Sequence, residues 1–341
     1  MRVLIVRPWG RTAFEMGQYC RDAFLEIGHT AELFTYNDER VSSRLFFLKK
    51  IERGFTLKAL FKKISDFRPE LILVIKGNNV PISVISRIRK EFKIPAANYW
   101  IDDPYSVDVS NKISPHYDYF FTNDPDCIVT HKKSGCPNVG FLTFGCSPGL
   151  HRQVQIGPEE YKKYKSDVCF SGRVDEKRLK VLESLGEFDL KIWSPPVFYS
   201  LGKNYKIEKR ELSPACPVYG KFTGHTVWGE ELAKAYSVSK IVLNIHSPQP
   251  VPIMRDFEVT GCGAFLLTDS VRGLDSMFRP GEEIVCYKDP RELKEIIKFY
   301  LSHPLEREGI AKRGQERVNR DHTYARRMEE MLAFIGKNRA Q

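Results

Sequence analysis

Short runs of apolar, often β-branched residues alternate with longer helical stretches along nearly the whole chain. "RVLIV", "LILVI", "YFFT", "VCFS", "KIVLNI" and "AFLLT" are the clearest of these runs. A strand this continuously apolar offers water no polar face, so both of its faces must be covered. The intervening helices supply that cover. The pattern therefore predicts parallel sheets held between helices.

The alternation comes in two series. In the first, strands are expected over residues 2–6, 31–36, 71–77, about 94–103, 117–124 and 139–146. Helices are expected over 12–27, 44–67 and 81–92, with one more ending at Lys133. Residues 147–166, "SPGLHRQVQIGPEEYKKYKS", are rich in Pro, Gly and charge and show no strand pattern. The division that follows is a domain over 1–150, a linker over 151–166, a second domain over 167–322 and a last helix over about 323–341. A chain of 341 residues suits two domains of ~150 residues each. Two such series suggest two Rossmann-like domains. No GxGxxG follows the first strand, which argues against a standard dinucleotide fold there.

Composition removes several function classes. No apolar run approaches ~20 residues, so no membrane-spanning helix is expected. The opening "MRVLIV" reads as a first strand and not as a secretory signal, which points to the cytoplasm. The eight cysteines include no CxxC pair and suggest no disulfide framework. Cys127, His131, Cys136 and Cys146 have spacings that match no common zinc site, and no metal is expected. A net charge of +10 suits nucleic acid, an anionic membrane surface or a phosphate-bearing small molecule. Nucleic acid is the weakest of the three, because no RNA- or DNA-binding motif appears and the basic residues are dispersed. Peripheral contact of the basic stretch 44–63 with anionic lipid stays open.

In doubly wound sheets, ligands sit beyond the carboxyl ends of the strands. That rule selects Trp9 and Gly10, Asn78, and Asp102 with Asp103 in the first half. In the second it selects Gly172 and Arg173, Asn244 and His246, and the segment "PVPIMRDFEVTGCGAFLLTD" over 250–269. Gly172 allows a tight turn, and Arg173, Lys177 and Arg178 follow at the start of a helix. Such a start is either a diphosphate cradle or an ordinary turn with solvated charges. Arg255 and Glu258 stand at i and i+3, on one face of a helix. They form either a surface ion pair or a phosphate-binding arginine beside a ribose-binding carboxylate. Gly261 and Gly263 would let the backbone approach a ligand. Asp102 and Asp103 can be a general base or turn caps. His246 can donate to a phosphate or sugar oxygen, or be a satisfied strand-end histidine.

The block from Tyr236 to Leu332 carries "LN", "R.FE", "G.GAFLLTD", "F.PGEEI..Y" and "L..HP.ER..IA..G..RV...HTY..R" in order. It resembles the glycosyltransferase-like domain of the CgeB (spore maturation protein) family, a GT-B branch. The N-terminal half matches less, through "NYWIDDP" and "FTND". The resemblance implies an α/β GT-B fold of two Rossmann-like domains facing each other across a cleft. It implies a nucleotide-sugar donor, UDP-sugar favoured, in the C-terminal domain. It implies a protein or glycan acceptor on the N-terminal one, near Trp9, Gly10 and Asn78. Glu258 would bind the ribose, Arg255 the diphosphate, and "CFSGR" would be the phosphate loop. The last helix would cross back to the N-terminal domain. No cofactor is implied, and Arg255, Arg173, Lys177 and a helix N-terminus would meet the leaving-group charge. Retaining GT-B enzymes often carry a second glutamate eight residues before the ribose one. Here that position is Pro250, and the stereochemical outcome stays open. A nucleotide-sugar 2-epimerase of the same fold, or a non-catalytic nucleotide-sugar-binding protein in surface glycan assembly, would also fit.

Overall fold

A computed structural model describes residues 1–8, 11–36, 46–201 and 207–339. It divides into two compact units: Met1–Phe144 with Tyr324–Gln341, and Gly145–Thr323.

The first unit runs β1 (Arg2–Pro8), α1 (Arg11–Glu26), β2 (Thr30–Tyr36), α2 (Phe46–Phe67), β3 (Leu71–Ile75), α3 (Ile82–Glu91), β4 (Ala96–Tyr99), α4 (Val107–Ile113), β5 (Tyr119–Thr122), α5 (Cys127–Lys133) and β6 (Val139–Phe141). Its six strands pair in parallel in the order β2-β1-β3-β4-β5-β6. Every residue of β3 is fully buried, as an apolar strand covered on both faces must be.

The second unit runs α6 (Pro158–Tyr164), β7 (Ser166–Ser171), α7 (Glu176–Glu183), β8 (Leu190–Trp193), β9 (Val197–Leu201), β10 (Ile207–Glu211), α8 (Gly229–Val238), β11 (Ser239–Asn244), α9 (Met254–Gly261), β12 (Leu266–Asp269), α10 (Leu274–Met277), β13 (Val285–Tyr287), α11 (Pro290–Ser302) and α12 (Pro304–Asp321). Five of its strands pair in parallel in the order β13-β12-β11-β7-β8. β9 and β10 form a separate antiparallel pair. The core joins Val168 and Phe170 of β7 to Ile241 and Leu243 of β11 and to Leu293 and Ile297 of α11. Helix starts follow the local chemistry. Asp175 caps α7 by accepting from Arg178 N, and Asp289 caps α11, whose first residue is Pro290.

The final helix, α13 (Tyr324–Arg339), packs within the first unit. Its Tyr324 ring lies 5.3 Å from that of Tyr19 on α1, and its Phe334 ring 5.3 Å from that of Phe121 on β5. Arg327 Nε donates to the Phe144 carbonyl at 2.9 Å.

The division between units falls at Gly145, not after residue 150. The stretch 151–166 is not a free linker. It lies in the second unit, carries α6, and contains His151, which is 1% exposed. Gly157 and Pro158 start α6, acidic Glu159 and Glu160 fill its first turn, and Lys162 and Lys163 fill its last. That charge order suits the helix dipole. The expected strand over 139–146 is real only over Val139–Phe141. No helix among the described residues is long and apolar enough to cross a membrane.

Candidate functional site

The second sheet has one place where the strand order reverses. From β7 the chain goes to β8 on one side and to β11 on the other. The crevice outside the carboxyl ends of such a strand pair is the usual ligand position in an open α/β sheet. Here those ends are Ser171-Gly172-Arg173 after β7 and Asn244-Ile245-His246 after β11.

Gly172 has φ +136°, a conformation L side chains rarely adopt. A Cβ on it would lie 2.4 Å from Arg255 Nη2, so the arginine occupies the space a side chain would need. Arg255 comes from the first turn of α9. Its guanidinium carbon stands 5.8 Å over the Phe170 ring of β7, and its Nη1 donates to Asn244 Oδ1 at 3.4 Å. Its Nε is buried and finds no hydrogen-bond partner among the described residues. A guanidinium has five N–H donors. One long bond leaves this one with spare capacity for an anion. The structure thus brings together Gly172, Asn244 and Arg255.

Glu258 lies one turn further along α9 and is 4% exposed. Its Oε1 stands 3.8 Å from His151 Nε2. Burial pushes His151 down to about 3, so the ring beside Glu258 is neutral at ordinary pH. Arg255 and Glu258 are therefore not a simple surface ion pair: each has its own surroundings.

Other residues selected from the sequence take different parts. Arg173 is exposed, with its guanidinium 5.0 Å over the Tyr199 ring. Arg178 is buried and spent on the protein. Its Nε donates to the Ile245 carbonyl at 2.9 Å and its Nη1 to the Arg173 carbonyl at 2.9 Å. Lys177 Nζ is tied to the His246 carbonyl at 2.7 Å and to Asp269 Oδ2 at 2.8 Å. Gly261 and Gly263 approach protein, not open crevice. A Cβ at Gly261 would meet Cys146 and His151 at 3.0 Å, and one at Gly263 would meet Gln315 at 3.0 Å.

His246 is 1% exposed and turns neither ring nitrogen outward. Nδ1 lies 2.8 Å from Asp269 Oδ1 and 3.3 Å from Thr268 Oγ1, and Nε2 lies 2.9 Å from Asp256 Oδ2. It is a clamped histidine, not a direct proton donor to substrate. Burial opposes its charge, but Asp256 and Asp269 outweigh that and hold it up to about 9. Asp269 is in turn held below the usual carboxylate range, because His246 and Lys177 outweigh its own burial. The folded value of His246 exceeds its unfolded value of ~6.5. The stability this gives is full below about pH 6.5 and is lost as pH rises through about 9.

In the first unit, Asp103 is fully buried. Its Oδ2 lies 2.8 Å from His131 Nε2 and accepts from Thr122 Oγ1 at 2.7 Å, while Oδ1 accepts from Ser110 Oγ at 2.7 Å. This is an internal pivot tying α4, α5 and β5 together, not a general base facing a ligand. Asp102 is partly exposed and pairs with Lys76 Nζ at 2.5 Å. Lys76 has φ +60° at the end of β3, and Asn78 is exposed two residues further on. Trp9 and Gly10 lie outside the described residues. Among those described, no three His, Cys, Asp or Glu side chains converge on a metal position.

Asp256, Asp269 and His151 carry much of this geometry but were given no ligand role from the sequence, although the first two lie within the selected segment 250–269. Asp269 ends a strand and so obeys the same rule. Asp256 stands three residues after Ile253, the position from which a carboxylate caps a helix start, and it does accept from Ile253 N at 2.8 Å. His151 lies in a stretch with no periodicity and carries no such signal.

The model of a family described as glycosyl transferase-like matches residues 173–333. That segment begins directly after the Gly172 turn and contains α9. Spore protein CgeB of Bacillus subtilis (strain 168) is 23% identical over 265 residues, covering 73% of this chain and 77% of that protein. Sucrose-phosphate synthase from Thermosynechococcus elongatus has a TM-score of 0.68 at 14% identity, over 100% of both chains. Anabaena HepE in complex with UDP and glucose has a TM-score of 0.67 at 12% identity, over 99% of this chain and 100% of that one. UDP-GlcNAc 2-epimerase from Neisseria meningitidis, bound to UDP-GlcNAc, has a TM-score of 0.56 at 11% identity, over 99% of this chain and 100% of that one. The C-terminal part of the chain, residues 173–333, thus matches a glycosyl transferase-like family, and the chain as a whole is similar to CgeB and shares the GT-B fold of its solved neighbours.

Proposed function

We propose that the second unit binds the donor as a UDP-sugar and that the chain transfers the sugar to a protein or glycan acceptor without a metal ion. The observation that carries the donor assignment is the Arg255 guanidinium over Gly172, at the one strand-order reversal of the sheet, with donors to spare. In this reading Arg255 and Arg173 meet the diphosphate, and the charge that develops on the leaving group is stabilised by them instead of by a cation. Glu258, one helical turn on, accepts from the ribose hydroxyls. The acceptor belongs to the first unit, near Asn78 and Asp102. UDP is favoured because the HepE structures contain UDP, and one of them UDP-glucose.

A panel of UDP-, GDP-, ADP- and dTDP-sugars tests the reading, with release of the nucleoside diphosphate followed with and without candidate acceptors. Release of UDP is expected. No release and no binding with any donor would overturn the proposal. The likeness to a 2-epimerase keeps one further outcome in view. NMR of the sugar would then show a changed C2 configuration without any acceptor.

Glu258→Ala is expected to weaken UDP binding by roughly ten- to a hundredfold, since a hydrogen bond to a charged group contributes about 1.5–3 kcal/mol. Titration calorimetry with UDP and with 2′-deoxy-UDP separates the cause. The native chain should prefer UDP and the variant should lose that preference. A preference kept in a folded variant rules out the ribose role.

A further inference from the structure

Asp256 stands between the two residues assigned to the ligand, yet it is itself fully buried. Both of its oxygens are spent on the protein. Oδ1 accepts from Asn244 Nδ2 at 2.7 Å, while Oδ2 accepts from Ile253 N at 2.8 Å and lies 2.9 Å from His246 Nε2.

Two consequences follow from this chemistry. An ionised carboxylate only accepts hydrogen bonds, whereas an amide has a donor end and an acceptor end. With Nδ2 of Asn244 held by Asp256, the acceptor end must face the other way. It does so, 3.4 Å from Arg255 Nη1. A reversed amide would set NH2 against the guanidinium. The second consequence concerns the helix. Asp256 ties the first turn of α9 to His246 beyond the end of β11, and Asp269 of β12 holds His246 from the other side. Asp269 in turn holds Lys177 of α7. The groups facing His246 are thus Asp256, Asp269, Thr268 and Lys177, with Arg178 bonded to the neighbouring Ile245 carbonyl. Donors and acceptors alternate from Lys177 through Asp269, His246, Asp256 and Asn244 to Arg255.

We propose that Asp256 is the positioning residue of the donor site, holding Arg255 over Gly172 by orienting the Asn244 amide and by anchoring the start of α9 through His246 and Asp269. The inference rests on the donor-site reading above for its effect on nucleotide binding, but not for its effect on Arg255.

Asp256→Asn tests it in the full chain, alone and combined with Arg255→Met. The first readout needs no ligand: the Arg255 Nε–H resonance. A single sharp signal is expected in the native chain, broadened or lost in Asp256→Asn. The second is the dissociation constant for UDP. Asp256→Asn should weaken binding roughly tenfold in the native background and not at all in the Arg255→Met background, as coupled residues do. An unchanged Arg255 signal would overturn the proposal, and so would an equal loss of affinity in both backgrounds. If Asp256→Asn does not fold, His246→Gln breaks the same chain one link further away. The same broadening is then expected, and an unaltered signal counts against the proposal. A native chain that binds no UDP would refute the donor reading alone, because the Arg255 signal still reports on Asp256.

Discussion

Arg255→Met is expected to weaken UDP binding roughly ten- to a hundredfold and to leave the second unit folded. Methionine keeps an unbranched apolar side chain and removes the charge that stands over Phe170. In the proposed donor site, what is lost is the set of charged hydrogen bonds assigned to the diphosphate, about 1.5–3 kcal/mol. The loss to the protein itself is small, since the guanidinium makes one long bond to Asn244 and its Nε has no partner among the described residues. Calorimetry with UDP reads the effect, and circular dichroism reads the fold. Gly172→Ala should reach the same end by another route, because the new methyl group would claim the position of Nη2, 2.4 Å away. It should also cost stability, as φ is +136° there. Native affinity in either variant would remove the diphosphate from Arg255.

Asp103→Ala should lower the melting temperature of the first unit by on the order of 10 °C while UDP affinity stays native. The carboxylate is fully buried and joins His131, Thr122 and Ser110. Removing it orphans up to three buried polar groups, each costing about 1–3 kcal/mol. A unit of this size shifts by roughly 2–4 °C per kcal/mol. Scanning calorimetry should show one transition moving and the other in place. The contrasting result is a variant that melts like the native chain but has no turnover. That would make Asp103 catalytic and the pivot account wrong.

These two residues also mark how far the sequence could be read. The fold was legible because "LILVI" is apolar throughout and "KIVLNI" nearly so in its middle, and strands of that kind suit a parallel sheet covered on both faces. The β9–β10 pair was not legible, since "IEKRE" is almost entirely charged and offers no apolar run to partner "VFYSL". α6 was hidden for the same reason: "PEEYKKY" has few apolar residues, and its place comes from tertiary packing. The strand-end rule picked out Gly172, Asn244 and Arg255, which the structure brings together, because topology sets where loops emerge. It could not tell which polar side chains turn outward. Arg178, His246 and Asp103 satisfy the same rule and point at protein atoms. Their partners come from other strands and helices, and spacing along the chain carries no record of them.

The helix α13 has a consequence for how this protein is made. Tyr324 and Phe334 complete packing against Tyr19 and Phe121, and Arg327 caps the Phe144 carbonyl. Yet the whole of Gly145–Thr323 is synthesised between those partners. At ~5–20 residues per second, the first unit waits on the order of ten seconds or more for its last piece. Throughout that interval the ribosome displays an unfinished hydrophobic surface while the second unit is still emerging. The newborn chain is thus at its most aggregation-prone before α13 is made, and loss of that helix alone would make that state permanent.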